Sequence, residues 1–200
     1  MTSSAGGEAY ERARKAIDAG RFDEAIDAAR ESFRLDPGDG PGRELYVGLE
    51  LARGIKLAAK ARDLRRQEVI ERDIRVDQEF QDSERVMEAF HKALDAFDAV
   101  LAADPENEKA LMMKASALHR FDRTNRREEA LLLLRRVAEA HPGNRQVRLV
   151  MKKVEKACED CSDTGFCPHC SGRGSRRILG FTTRCDKCWG QGICLKCGVL

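Results

Sequence analysis

The sequence predicts a mainly α-helical chain: an antiparallel helical repeat array, followed by a small cysteine-rich module with short β-hairpins. Charged residues make up 35% of the 200 residues and aromatic residues only 6%, with 5 prolines, which favours helices over a β-sandwich. All eight cysteines lie between Cys158 and Cys197, so the composition changes sharply at Cys158. We therefore expect residues 1–7 to form a disordered tail, residues 8–157 the helical array and residues 158–200 the cysteine module.

The helical part repeats a pattern in which an alanine stands twelve residues before a proline that ends a helix. The pairs are Ala25 and Pro37, Ala93 and Pro105, and Ala130 and Pro142. A small residue allows two helices to cross closely, and proline cannot continue a helix. Gly20 suits a tight turn between the first two helices, because glycine tolerates positive φ. These residues resemble the tetratricopeptide repeat (TPR), a helix–turn–helix unit of about 34 residues.

The middle unit of the array is irregular. Residues 55–104 contain neither glycine nor proline, which predicts long helices. Apolar residues recur there at helical spacing between dense charges. Two interpretations stay open: an amphipathic helix or coiled-coil hairpin that protrudes from the array, or an ordinary helix with a solvated, charged face. A last helix over residues 143–157 would cap the array and lead into Cys158.

The eight cysteines form four C-x-x-C pairs with none left over, which indicates metal binding. The pairs are Cys158/Cys161, Cys167/Cys170, Cys185/Cys188 and Cys194/Cys197. Two residues between cysteines let a tight turn aim both sulfurs at one ion, and two such turns complete a tetrahedral zinc site with four cysteine ligands. The first seven residues carry neither a basic nor an apolar stretch, so we expect a cytoplasmic protein without a secretion signal. Thiols stay reduced there, so the pairs predict metal ligands rather than disulfides.

Two of the pairs continue into glycines, since residues 167–174 and 185–192 both read C-x-x-C-x-G-x-G. This motif resembles the cysteine-rich zinc domain of DnaJ-type co-chaperones, over about a fifth of the chain. Spacers of five residues between the first two pairs and between the last two make sequential pairing cramped. The motif is broken at Asp163, where a glycine is expected, and the sequence lacks the His-Pro-Asp triplet of a J domain. The resemblance implies nested sites, with one zinc ion on Cys158, Cys161, Cys194 and Cys197 and the other on Cys167, Cys170, Cys185 and Cys188.

These features favour a non-enzymatic adaptor similar to a co-chaperone. Both zinc ions are expected to be structural, because four sulfurs leave no position open for water. The TPR resemblance implies a face that binds a protein or peptide, and the zinc module would contact a second protein or an unfolded segment. Two alternatives stay open: a redox protein that exchanges thiols and disulfides, and a nucleic-acid binder that uses the basic arm of residues 173–184. The net charge of +2 argues against a strongly basic nucleic-acid binder, and no apolar run approaches the length of a membrane span.

Overall fold

A computed structural model describes residues 5–74 and 80–197, and within them it contains seven α-helices and one two-stranded sheet. The strands β1 (Ser175–Ile178) and β2 (Phe181–Arg184) are antiparallel, with Ile178 opposite Phe181. The chain is therefore mainly helical with a small sheet near its end, as the sequence predicts. No helix in the described ranges is long and apolar enough to cross a membrane. The helices are α1 (Ala5–Asp18), α2 (Phe22–Leu35), α3 (Gly40–Glu71), α4 (Glu84–Ala103), α5 (Glu108–Phe121), α6 (Arg127–Ala140) and α7 (Arg145–Val154).

Helix α1 begins inside the segment that was expected to be a disordered tail. Residues 1–4 lie outside the described residues, but Ala5 already belongs to α1. Gly6 is buried, and its carbonyl accepts a hydrogen bond from Ser32 Oγ at 2.9 Å. A Cβ on Gly6 would also lie 3.3 Å from the Cβ of Asp36. This close contact with the end of α2 explains why the helix begins earlier than residue 8.

Consecutive helices pack as TPR-like antiparallel pairs. Helix α1 pairs with α2, α3 with α4, and α5 with α6, and α7 then packs on α6. Gly20 adopts a φ of +70° in the first turn, the left-handed region that glycine enters at little cost. The alanines predicted to lie where helices cross, Ala25, Ala93 and Ala130, are fully buried, which confirms that part of the repeat pattern.

The middle pair is formed by two long helices, as predicted for residues 55–104, although α3 begins at Gly40, well before that segment. Helix α3 has 32 residues and α4 has 20. Buried side chains continue along α3 as far as Val69, which favours a helix packed along its length over one that protrudes. The two helices approach closely at Gly54, where a Cβ would lie 2.6 Å from the ring of Phe97.

A continuous apolar core runs through the second half of the array. Helix α7 contributes Val147, Val150 and Val154 to it, although α7 is shorter than the predicted 143–157. The N-terminal helices have a smaller core of their own, with Phe33 stacked on Tyr46 at a centroid distance of 5.0 Å. The fully buried large residues of the main core include Phe97, Leu111, Leu118, Leu134, Val137, Val147 and Val154.

The cysteine module is joined to α7 by a short link and also lies against the side of the array. Phe166 of the module packs edge-on against Phe80, with ring centroids 5.3 Å apart. Arg66 of α3 donates a hydrogen bond to the carbonyl of Gly190 at 3.0 Å. The boundary at Cys158 therefore separates two compositions, while the folded parts on either side are in contact.

Candidate metal centre

Four cysteines from the two ends of the module converge to form what we call the outer centre: Cys158, Cys161, Cys194 and Cys197. Their sulfur atoms lie within 4.8 Å of one another. The Sγ–Sγ distance is 4.0 Å between Cys158 and Cys194 and 3.6 Å between Cys161 and Cys197. An antiparallel bridge between Phe166 and Ile193 holds the two segments side by side.

The other four cysteines form the inner centre, which lies at the base of the β-hairpin: Cys167, Cys170, Cys185 and Cys188. Their sulfurs also lie within 4.8 Å of one another, and the side chains are all buried. The Sγ atoms of Cys170 and Cys188 are 3.7 Å apart. The N–H of Cys185 donates to the carbonyl of Gly174 at 2.9 Å, which closes the hairpin where it leaves the centre. The first pair thus meets the fourth and the second meets the third, in the same nested groups that the DnaJ-type resemblance implies.

The inner centre has an approximate two-fold symmetry in its backbone. The N–H of Gly174 donates to Cys170 Sγ, and the N–H of Gly192 donates to Cys188 Sγ, both at 3.3 Å. Both glycines have positive φ, +72° and +74°. A Cβ on Gly174 would lie 2.3 Å from the carbonyl oxygen of Gly190, and one on Gly192 would lie 2.2 Å from that of Gly172. The glycines of the repeated motif are therefore required for two reasons, backbone conformation and space.

The spacing of the sulfurs fits a tetrahedral metal ion. A Zn–S bond of about 2.3 Å in a regular tetrahedron separates two sulfurs by about 3.8 Å. Three Sγ–Sγ distances within the centres, 3.6, 3.7 and 4.0 Å, lie on either side of that value. A disulfide would need about 2.05 Å, so these cysteines are not bonded to one another. A set of four sulfurs suits zinc or iron, so the donor chemistry limits the metal without identifying it.

Burial of the thiols affects how a metal would bind. Burial raises the pKa of Cys167 to about 11 and also raises the pKa values of Cys161, Cys170 and Cys197. These groups are protonated thiols at neutral pH when no cation is near. A metal ion must therefore displace their protons, which makes binding dependent on pH.

The array supplies charged contacts to the outer centre that sequence reasoning missed. Nη1 of Arg123 donates to Cys197 Sγ at 3.0 Å. Arg127 pairs with the carboxylate of Asp163, and that carboxylate also accepts a hydrogen bond from the N–H of Cys158 at 3.2 Å. The one signal in the sequence was Asp163 itself, which stands where the motif has glycine and adopts a φ of +59°. The departure from the motif therefore marks a contact with the array.

The basic arm of residues 173–184 contains the β-hairpin, and its apolar tip is in solvent. Leu179 is 93% exposed and Phe181 is 76% exposed. Arg173, at the base of the arm, pairs with Asp73, two residues beyond the end of α3, at 3.0 Å. The arginines further along the arm, Arg176, Arg177 and Arg184, are exposed. The arm therefore presents apolar and positively charged groups together.

Comparison with known proteins gives similarity at the level of the fold only. No protein-family model matches the sequence, and no curated protein matches it. Among solved structures, the first TPR of the protein Spaghetti, bound to an HSP90 peptide, is 17% identical with a TM-score of 0.39, covering 78% of this chain and 96% of that one. The C-terminal TPR-containing domain of an FK506-binding protein of Plasmodium falciparum is 18% identical with a TM-score of 0.36, covering 76% of this chain and 86% of that one. Similarity this low carries no statement about what the present chain binds.

Proposed function

We propose that the two cysteine centres each bind one structural zinc ion. The support is the geometry of the sulfurs, whose separations fit a tetrahedral dication. Four protein sulfurs fill a tetrahedral site, so neither ion has a position for water and neither acts as a catalyst. Elemental analysis of protein purified without added metal should give two zinc ions per chain. One zinc ion per chain, or the visible absorption band of an iron–sulfur centre, would contradict this assignment.

With zinc in place, we propose that the chain is a non-enzymatic protein-binding adaptor in the cytoplasm. The helical array binds one protein or peptide, and the cysteine module contacts an unfolded segment of a second protein. The observation that carries this proposal is the exposed apolar tip of the hairpin, on a module that is braced against the array. Large apolar side chains in solvent at a defined place on a folded surface are typical of an interaction site. A partner that touched both surfaces would gain from effective concentration.

The arrangement of the cysteines favours this function over thiol–disulfide exchange. Seven of the eight cysteines are buried, and Cys158 is partly buried. A thiol that exchanges with another protein needs a sulfur that the partner can reach, with a depressed pKa. Burial raises the pKa values of Cys161 and Cys167. The pKa values of Cys185 and Cys194 are lowered, because hydrogen bonds to their sulfurs outweigh the effect of burial, but both sulfurs are buried where a partner does not reach them.

Binding of an unfolded polypeptide through the hairpin tip can be tested with a double substitution, Leu179→Ser and Phe181→Ser. Both side chains are exposed, so the change removes apolar contact area without opening the core. Burying one such side chain is worth about 1.5–3 kcal/mol, so the affinity for a labelled, permanently unfolded polypeptide should fall at least about tenfold. Fluorescence anisotropy measures this affinity.

Leu149→Ser is the matched control, because Leu149 is 61% exposed on α7 and distant from the hairpin in sequence. The control should bind as the wild type does. The proposal fails if the double variant keeps full affinity, or if Leu149→Ser weakens binding as much as the double variant. Trp189, the single tryptophan of the chain, is 63% exposed in the module and gives a second readout of binding there.

A further inference from the structure

Arg123 reaches from the end of α5 to a ligand of the outer centre. It follows α5 in the turn before α6, and its side chain is only 9% exposed. The bond from Nη1 of Arg123 to Cys197 Sγ, at 3.0 Å, joins residues 74 positions apart in the chain. Guanidinium is always charged at neutral pH, and a hydrogen bond from it is much stronger to a thiolate than to a neutral thiol.

A second contact places the same arginine beside the opposite end of the module. Nη1 of Arg123 lies 3.7 Å from the carboxylate of Asp163, which Arg127 also pairs with. Oδ1 of Asp163, the oxygen near Arg123, also accepts a hydrogen bond from the N–H of Cys158. Arg127 in turn donates to the carbonyl of Val154, the last residue of α7. The network therefore joins the first and last cysteines of the outer centre to α5, α6 and α7.

The module is shaped to receive this guanidinium. Gly165 has a φ of +78°, and a Cβ there would lie 2.6 Å from Nε and Nη2 of Arg123. The backbone of Gly165 meanwhile serves the centre, because its carbonyl accepts the N–H of Cys194 at 2.9 Å and its N–H bonds to Cys161. One glycine thus contacts two ligand residues and leaves room for Arg123.

The inner centre has no equivalent contact among the described residues. Its sulfurs Cys170 and Cys188 accept hydrogen bonds from amides of the module itself. The contact that α3 makes nearby, through Arg66, goes to the carbonyl of Gly190. The two centres therefore differ in what surrounds their ligands: the inner one is completed by its own backbone, and the outer one by a charged side chain of the array.

We propose that Arg123 is an outer-sphere partner of the metal in the outer centre, so that the helical array completes this metal site. The inference rests on the proposed binding of two zinc ions. Four thiolates around a dication carry two net negative charges, which attract the guanidinium, whereas four neutral thiols do not. Arg123 therefore stabilises the loaded centre. By thermodynamic reciprocity, the loaded centre holds the module on the array.

The surroundings of Arg123 fit this role. A small cavity of about 40 Å³ between array and module is lined by Arg62, Arg65, Arg66, Arg120 and Arg123 together with residues of the module. Burial, and then the like charges of its arginine neighbours, lowers the pKa of Arg120 to about 10. Among these like charges, the guanidinium of Arg123 becomes more favourable when an anionic centre forms at the sulfur that it contacts.

The test compares metal release from three variants of the full chain. Arg123→Gln removes the bond to the outer ligand. Arg66→Gln removes a contact to the module that does not touch a sulfur. Arg126→Gln is the matched control, because Arg126 is exposed and pairs locally, with Glu129 at 2.8 Å. Transfer of zinc to a chromogenic chelator measures the release rates, and cysteine alkylation mapped by mass spectrometry identifies which centre has opened.

Loss of a partner of this kind costs about 10- to 100-fold in metal affinity. Arg123→Gln should therefore release one zinc ion about 10- to 100-fold more readily than the wild type, with labelling of Cys158 and Cys194, while the inner zinc ion is unchanged. Arg66→Gln and Arg126→Gln should release the outer zinc ion as the wild type does. Arg123→Lys, which keeps the charge, should restore part of the loss.

The inference is overturned if Arg123→Gln releases the outer zinc ion at the rate of Arg126→Gln, or if it weakens both centres equally while helical circular dichroism is unchanged. It is also overturned if Arg123→Lys is as weak as Arg123→Gln, because a purely structural role would not depend on the charge. The metal content of the wild type tests the underlying proposal separately. If the wild type contains fewer than two zinc ions, the zinc assignment is refuted. If it contains two zinc ions and Arg123→Gln does not change their release, only this inference is refuted.

Discussion

Substitution of Gly192 by alanine tests whether the repeated glycines hold the inner centre together. Two costs follow from the structure. The φ of +74° places an alanine in the left-handed region, which costs about 1–2 kcal/mol. The new Cβ would also lie 2.2 Å from the carbonyl oxygen of Gly172, and because that atom is backbone it can move aside only by displacing the module. Overpacking of this kind costs about 1–3 kcal/mol.

Gly180→Ala separates the two costs. Gly180 lies in the turn of the hairpin with a φ of +87°, and a Cβ there would meet nothing within 4 Å. Gly180→Ala therefore has the cost of the left-handed conformation but not the cost of the steric clash. The apolar core of the module is too small for it to fold alone, so we expect most of either cost to reduce the affinity for metal. Gly192→Ala should therefore bind its inner zinc ion about 5- to 150-fold more weakly than Gly180→Ala does.

Competition with a chelator of known affinity measures the two constants, and alkylation of Cys170 and Cys188 confirms which ion is lost. The outer zinc ion should be released later than the inner one in Gly192→Ala. Equal affinities for Gly192→Ala and Gly180→Ala would refute the reasoning, because the collision with Gly172 would then cost nothing.

Three further predictions concern the array. Gly48→Ala, on the open side of α3, should stabilise the chain against denaturant by about 1 kcal/mol. Gly54→Ala should be less stable than Gly48→Ala by about 1–3 kcal/mol, because its Cβ would meet the ring of Phe97. Equal stabilities of the two variants would contradict the packing of α3 on α4. Removal of zinc by a chelator should leave most of the helical circular dichroism intact, because the main core contains no residue of the cysteine module. Residues 158–200 should become sensitive to protease. Loss of most of the helicity would contradict this prediction. Burial lowers the pKa of His119 to about 3. Below about pH 6.5, His119 therefore binds a proton in the unfolded chain but stays neutral in the folded chain, so stability falls as the pH falls. Between pH 7 and 5.5 the wild type should lose about 1 kcal/mol more stability than His119→Leu, measured by denaturant midpoints, and parallel pH profiles would rule out this role of His119.

The parts of the fold that the sequence predicts are those with a local cause. The positions of Ala25, Ala93 and Ala130 follow from helix pairing, and the grouping of the cysteines agrees with what the resemblance to the DnaJ-type zinc domain implies. The start of α1 was missed because it depends on a contact between Gly6 and the distant Ser32, which no local pattern signals. The complete burial of His119 likewise depends on its neighbours in space.

The contacts of the module with the array were beyond sequence reasoning for the same physical reason. Arg66 and Arg123 lie in segments rich in arginine, where a solvated charge is the common outcome. What distinguishes them is that the module covers them, and this depends on how α3 and α5 are placed in the array. Asp163 was noticed as a departure from the motif, but a departure alone does not reveal that Arg127 is its partner.

The nested arrangement decides where the hairpin can act. Strand β1 begins directly after Gly174 and β2 ends directly before Cys185, so the inner centre clamps the base of the hairpin. The outer centre lies on the other side of the inner one and is held by Arg123. The array therefore supports the module at two places, through Arg123 at the outer centre and through the contacts of Arg66 and Asp73 with Gly190 and Arg173 beside the inner centre. Loss of the inner zinc ion should abolish binding at the hairpin tip, whereas loss of the outer one should leave the tip intact and weaken only those partners that contact the array and the hairpin together.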